Sequence, residues 1–230
     1  MINIGTTDFY LDVASLPVEE FESYSTKLFD EWEAYVGDVL QLPDYYLALD
    51  VQEGSISAKS KILVGAGVIC TFLATYGSIS SGAKNLYSDV RAVGNYLGVR
   101  AASPFPEAKT KPKLRNRGEA LSILQSLFVR VANGSTSPDE AMILARNLFG
   151  DEVPEFMEQL KESLDNTPSQ LSLPIEGIDF IPVSPSMKDD DRREPSEPKE
   201  RILAIRPDQY RVEIWRESKS SDRNIRVRKV

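Results

Sequence analysis

The chain of 230 residues contains no histidine. That excludes histidine-based triads, histidine general bases and histidine-ligated zinc or iron in one step. There is one cysteine, Cys70, and it sits in an apolar run. A single thiol makes neither an internal disulfide nor a zinc site, and apolar surroundings keep it from ionising. This cysteine usage suits a reducing compartment. Basic residues are nearly missing from the first quarter, where Lys27 stands alone against twelve Asp and Glu between Met1 and Ala58. The opening MINIGTTDFYLD has neither the basic n-region nor the apolar h-region of a secretory signal. The expected location is cytoplasmic or associated with an inner membrane, and not secreted.

Catalytic signatures are also lacking. Residues 54–60, GSISAKS, fall one residue short of a P-loop and carry Ala58 where the second glycine must let the backbone approach phosphate. Ser81 and Lys84 match S-x-x-K, but the companion S-D-N and K-T-G elements are absent. Asp189, Asp190 and Asp191 have no second acidic cluster at ligand spacing. The chain is expected to be non-enzymatic, with no cofactor and no metal.

What is present is an ordinary globular composition, 41% hydrophobic and 27% charged, enough to form a core. The net charge of -8 argues against nucleic-acid binding through a general basic surface. Its distribution is uneven, because from Lys84 to Arg130 the balance turns basic. A helix-turn-helix in the later helical part is disfavoured, since its presumptive second helix offers only Arg146 to phosphate.

The most conspicuous stretch is 62–82, ILVGAGVICTFLATYGSISSG, which has no charged side chain and is flanked by Lys59, Lys61 and Lys84. About 20 such residues suffice to cross a hydrocarbon core of about 30 Å. Gly65, Gly67, Gly77 and Gly82 would let a partner helix come close, and a homo-oligomer could form through them. The hydroxyls of its second half and the missing tryptophan anchors fit equally a partly enclosed helix in a protein core. Further on, Lys109, Lys111, Lys113, Arg115 and Arg117 form a basic patch; without interleaved aromatics it makes a poor platform for a single-stranded nucleic acid, and it reads either as a solvated linker or as a surface for anionic lipid headgroups beside a membrane helix. Placing that patch on the cytoplasmic side would force the acidic N-terminal part across the bilayer, a conflict that favours peripheral or inducible insertion, or no insertion.

Elsewhere periodicity sets the expected order. Residues 8–13 alternate as a strand. Ser15 offers a cap for an amphipathic helix through Phe21, Leu28, Phe29, Trp32, Val36 and Val39, and residues 45–51 alternate again. The aromatics of that helix, at helical spacing, read as core. A second amphipathic helix follows through Leu86, Val90 and Leu97. Three short helices are expected in 119–166, the middle one opened by Ser137 and Glu140 as a capping box. Strands are expected at 175–183, 201–205, 210–215 and 224–230, and residues 185–198 are polar and expected to be disordered.

The fold class is therefore α+β: an acidic strand-helix-strand unit (1–58), the apolar Gly-rich and amphipathic helices (59–98), a Pro/basic linker (99–118), a helical bundle (119–166), a second linker (167–200) and a β-meander (201–230). Two functions compete. One is a membrane-acting protein, of the bacterial defence or toxin-effector kind, that inserts the apolar helix in a bilayer. The other is an interaction or adaptor protein with that helix as its core, working through the acidic N-terminal unit or the meander. Membrane lipid or a partner protein is the expected partner.

Overall fold

A computed structural model of the chain describes residues 1–76, 78–105, 111–150, 154–168 and 209–230. The fold is α+β, with six strands in one antiparallel sheet and six helices among these residues. The N-terminal unit is the expected strand-helix-strand: β1 (Ile2–Leu11), α1 (Val18–Leu40) and β2 (Tyr46–Gln52). β2 shows the period of a half-buried strand, with Leu47, Leu49 and Val51 inside and their neighbours half-exposed. Pro17, not Ser15, occupies the cap position of α1, and no side chain caps it. Proline already holds the dihedral the chain needs there. Glu19 and Glu20 lie in the first turn, where the helix dipole favours acids.

The apolar stretch does not form one helix. Residues 62–64 finish β3 (Ile56–Val64), Ala66–Ala74 forms α2, and a new helix, α3 (Ile79–Ala102), begins at Ile79. The reason is periodicity. From Ile56 the sequence alternates as ISAKSKILV, with Ile56, Ala58, Ser60, Ile62 and Val64 buried and Ser57, Lys59 and Lys61 exposed. Ile62 completes that pattern against Leu47 of β2 and Gly5 of β1. Gly65 turns the chain into α2, and Ser78 stops the helical run from continuing: its hydroxyl accepts from the Ser81 amide at 3.2 Å and opens α3. No helix among the described residues is long and apolar enough to cross a membrane.

The expected basic linker also contains a strand. β4 (Lys113–Arg117) pairs with β1, and Gly118 turns it into α4 (Glu119–Ala132). A side chain at Gly118 would overlap the Tyr87 ring, so this corner tolerates no Cβ. α5 (Pro138–Phe149) starts with the expected capping box of Ser137 and Glu140, and α6 (Pro154–Asp165) follows. β5 (Tyr210–Arg216) and β6 (Asn224–Lys229) form a hairpin and extend the main sheet by pairing to β2. The sheet order is β4-β1-β3-β2-β5-β6. The expected strands at 175–183 and 201–205 and the polar stretch 185–198 lie outside the described residues.

α1 and α3 cover one face of the sheet. Phe21, Phe29, Trp32 and Val36 of α1 and Leu86, Val93 and Leu97 of α3 are buried there with Leu47, Leu49, Val51, Ile56, Val212 and Ile214. Glu31 and Arg100 bridge the two helices by a bidentate ion pair, with Nη2 to Oε1 at 2.6 Å. The burial of α2 is one-sided: Ile69, Cys70 and Leu73 are inside, and Thr71 and Thr75 return their hydroxyls to backbone carbonyls of the same helix.

Gly82 and Gly67 separate two uses of a small residue. A Cβ on Gly82 would stand 2.9 Å from the Leu73 carbonyl oxygen and 3.2 Å from its Cα, so α2 backbone lies directly against α3. At Gly67 nothing lies within 4 Å of the added atom. Gly82→Ala is expected to destabilise the fold by about 1–3 kcal/mol through overpacking, whereas Gly67→Ala should stabilise by up to about 1 kcal/mol through helix propensity. Urea unfolding of the two variants checks this, and equal shifts would remove the distinction.

Candidate functional site

No element among the described residues covers the other face of the sheet, and cross-strand register defines the composition of this open face. Opposed residues in an antiparallel sheet point to the same side. Three rows therefore run across all six strands. The first is Lys113, Tyr10, Ser57, Gln52, Arg211 and Arg228. The second is Arg115, Asp8, Lys59, Asp50, Glu213 and Arg226. The third is Arg117, Thr6, Lys61, Ala48, Trp215 and Asn224. Of these residues Thr6 alone is buried. Beyond the third row Tyr46 and Leu63 lie opposite each other.

In these three rows stand eight basic side chains (Lys59, Lys61, Lys113, Arg115, Arg117, Arg211, Arg226, Arg228) and three acids (Asp8, Asp50, Glu213), and beyond them Glu217 is near enough to Tyr46 to add to the upward shift that burial gives its phenol. The chain as a whole carries -8. The compensating acids lie elsewhere, seven of them on α1 alone: Glu19, Glu20, Glu22, Asp30, Glu31, Glu33 and Asp38. The acids on the open face are engaged. Asp8 pairs with Arg117, Asp50 with Arg211 at 2.9 Å, and Glu213 with Arg228 at 3.4 Å. Lys113 stands 6.0 Å from the Tyr10 ring and Arg226 6.0 Å from the Trp215 ring, at the outer limit of cation–π attraction. Lys61 and Arg115 make no ion pair among the described residues.

Two shallow hollows mark the surface. One of about 470 Å³ is lined by Asp8, Tyr10, Gln52, Lys59, Lys113 and Arg115, among others. The second, about 670 Å³, is lined by Tyr46, Lys61, Leu63, Trp215 and Arg226, with Asp50, Lys59 and Arg211 common to both. A larger hollow of about 710 Å³ between the α2–α3 junction, α4 and α6 is lined by hydroxyls and amides such as Ser78, Ser163, Gln159 and Asn166, with Glu162 its one charged group. That lining offers an orienting surface but no pair of groups able to exchange a proton. The Cys70 thiol is buried and pushed up to about 12 by desolvation, so it is not a nucleophile near neutrality. No group of three or more His, Cys, Asp or Glu able to hold a metal occurs among the described residues.

Most residues expected to matter have a place in the structure. Lys113, Arg115 and Arg117 stand on one side of an edge strand, and Lys111 is exposed just before it; Lys109 lies outside the described residues. Of the glycines, Gly82 is packed, Gly65 meets only the side chain of Val68 at 3.9 Å, Gly67 is open, and Gly77 lies outside the described residues. Sequence reasoning missed Lys59, Lys61, Tyr10, Tyr46, Trp215, Arg226 and Arg228 as members of one surface. A signal was available: all five basic residues from Lys109 to Arg117 occupy odd positions, which is strand period and not linker composition.

No protein-family model matches the chain, and no curated protein or solved structure is similar to it at a significant level. The site must therefore be read from its own chemistry.

Asp50 offers a check on the electrostatics. Burial raises its carboxyl above the usual range, Arg211 pulls against that, and Glu213 adds to it. A raised folded-state value means the stabilising contribution is complete below the ordinary carboxylate range and is lost as pH rises through the folded value. Asp50→Asn should therefore raise Tm at pH 7 and leave it unchanged near pH 3. A lower Tm for the variant at pH 7 would show that the Arg211 pair outweighs desolvation.

Proposed function

We propose that this chain is a non-catalytic binding protein whose working surface is the open face of its sheet, and that the surface takes an anionic partner. The observation that carries the reading is charge segregation: eight basic residues against three acids in the three cross-strand rows of one face of an acidic chain. Local potential, not net charge, draws a charged partner to a surface. The reading keeps the interaction-protein alternative and extends its working surface from the C-terminal hairpin across the whole sheet.

Heparin, a flexible polyanion, tests it without presuming the partner. The full chain should be retained on a heparin column and elute with salt. Lys61→Glu and Arg115→Glu, both exposed and outside any ion pair among the described residues, should each elute earlier with unchanged circular dichroism. Flow-through of the unaltered chain, or elution unchanged by either reversal, would end the proposal.

A second reading concerns bilayers. α2 has no charged residue, and Val68, Phe72 and Tyr76 form a half-exposed to exposed stripe at helical spacing along it. Residues 62–64 are central in the sheet and Ile69 and Leu73 are core, so this reading takes the form of peripheral contact through that stripe. Sedimentation with uncharged phosphatidylcholine vesicles, abolished by Phe72→Asp, would support it. Absence of sedimentation would dismiss it.

A further inference from the structure

Resting on the reading just given, we infer that the anionic occupant of the open sheet face is a single-stranded nucleic acid. Charge alone would suit any polyanion; the aromatics narrow the class. Tyr46 and Trp215 lie on adjacent strands as diagonal neighbours, about 7–8 Å apart at Cα. Tyr10, 41% exposed, stands on the far side of the sheet. Three strand spacings and four residues of rise separate it from Trp215, a run of about 20 Å. Lys59 and Lys61 lie between, on the strand that connects the two aromatic stations. Aromatic faces that accept bases, set among cations that track a backbone, are what sequence-tolerant single-strand binding requires.

Shape points the same way. The grooves of a duplex admit a helix or a two-stranded ribbon, and a six-stranded face fits neither. A single strand can lie across it with its bases turned down. A base on Trp215 takes the place at the ring that Arg226 holds in this structure, and the guanidinium is then released to the neighbouring phosphate. Arg228 can turn to phosphate in the same way, because its pair with Glu213 at 3.4 Å is loose and partly exposed; the tighter Arg211–Asp50 pair has its contacting atoms buried.

The two tryptophans make the test selective. Trp32 is fully buried in the core, and Trp215 is half-exposed on the open face. Titrating the full chain with oligo-dT or oligo-rU should quench tryptophan fluorescence. Trp215→Phe should lose the quench while still binding a labelled oligonucleotide by anisotropy. Trp215→Ala should weaken that binding about 5- to 150-fold and leave heparin elution unchanged. Lys61→Gln and Arg115→Gln should each lower the slope of log affinity against log salt by about 0.7. Retention on heparin without oligonucleotide binding would overturn this inference while sparing the anionic-partner reading; loss of both would end both. Equal affinity for duplex and single strand, or binding confined to phosphatidylserine vesicles, would also overturn it.

Discussion

Burial on one side of the sheet is the constraint from which the remaining features follow. α1 and α3 take the apolar positions of β1, β2, β3 and β5, and side chains two residues apart on a strand must share a face. Once Leu47, Leu49 and Val51 are committed inward, Tyr46, Ala48, Asp50 and Gln52 have nowhere else to point. The same holds for Lys59 and Lys61 between Ala58, Ser60 and Ile62. A slip of one residue in any pairing would bury lysines and expose isoleucines, so the register is strongly determined. The open face is thus fixed by the core without needing contacts of its own, and it is free to carry a composition unsuited to folding.

That separation explains how an acidic chain presents a basic surface. The acids sit mainly on α1, and several tie the helical layer to its neighbours: Glu31 to Arg100, Glu33 to Arg216 at 2.9 Å, Asp30 to Arg223. The hydrogen bond from Arg100 holds the Glu31 carboxyl below its usual range. At an ionic strength near 0.15 M the Debye length is about 8 Å, shorter than the roughly 10 Å separating packed layers. A ligand at the sheet face therefore responds to Lys59, Lys61 and Arg115 more than to the acids behind the core. Net charge averages over both sides and hides the contrast.

The sequence was legible where one period ran undisturbed. α1 and β2 could be read from their spacing, and the capping box of α5 from Ser137 and Glu140. The reading failed where composition was weighed ahead of period. The run 62–82 is charge-free because β3 finishes, α2 packs and α3 begins within it, three buried pieces in succession separated by Gly65 and Ser78. Its lack of charge reflects enclosure by protein, with Ile62, Val64, Ile69, Leu73 and Ile79 all in the core. β4 was missed for the converse reason: a strand whose outward positions are all basic looks like a linker unless alternate residues are compared. The surface as a whole was not legible at all, because it joins β3, β4 and β6, the last more than 100 residues beyond the other two, and only pairing brings them together.

Free acids on the open face would oppose the proposed role in binding anions, but these acids are each paired. Asp8, Asp50 and Glu213 each hold an arginine on the same surface, Arg117, Arg211 and Arg228, which would otherwise sample many rotamers. Ordering such a side chain costs about 1.5–2 kcal/mol, and a carboxylate that supplies part of this order before the ligand arrives lowers the cost of binding. Exposed ion pairs contribute only about 0–1 kcal/mol, so exchanging carboxylate for phosphate forfeits little. In the proposed binding mode Lys61 and Arg115, which make no ion pair among the described residues, make first contact with an approaching anion, and the paired arginines follow by exchange. A face of free cations would bind polyanions with less discrimination; a face whose arginines were all firmly paired would hardly bind them. On the proposed reading this surface lies between those limits, its half-exposed pairs exchanging with phosphate and yet ordered enough to define where a backbone would run.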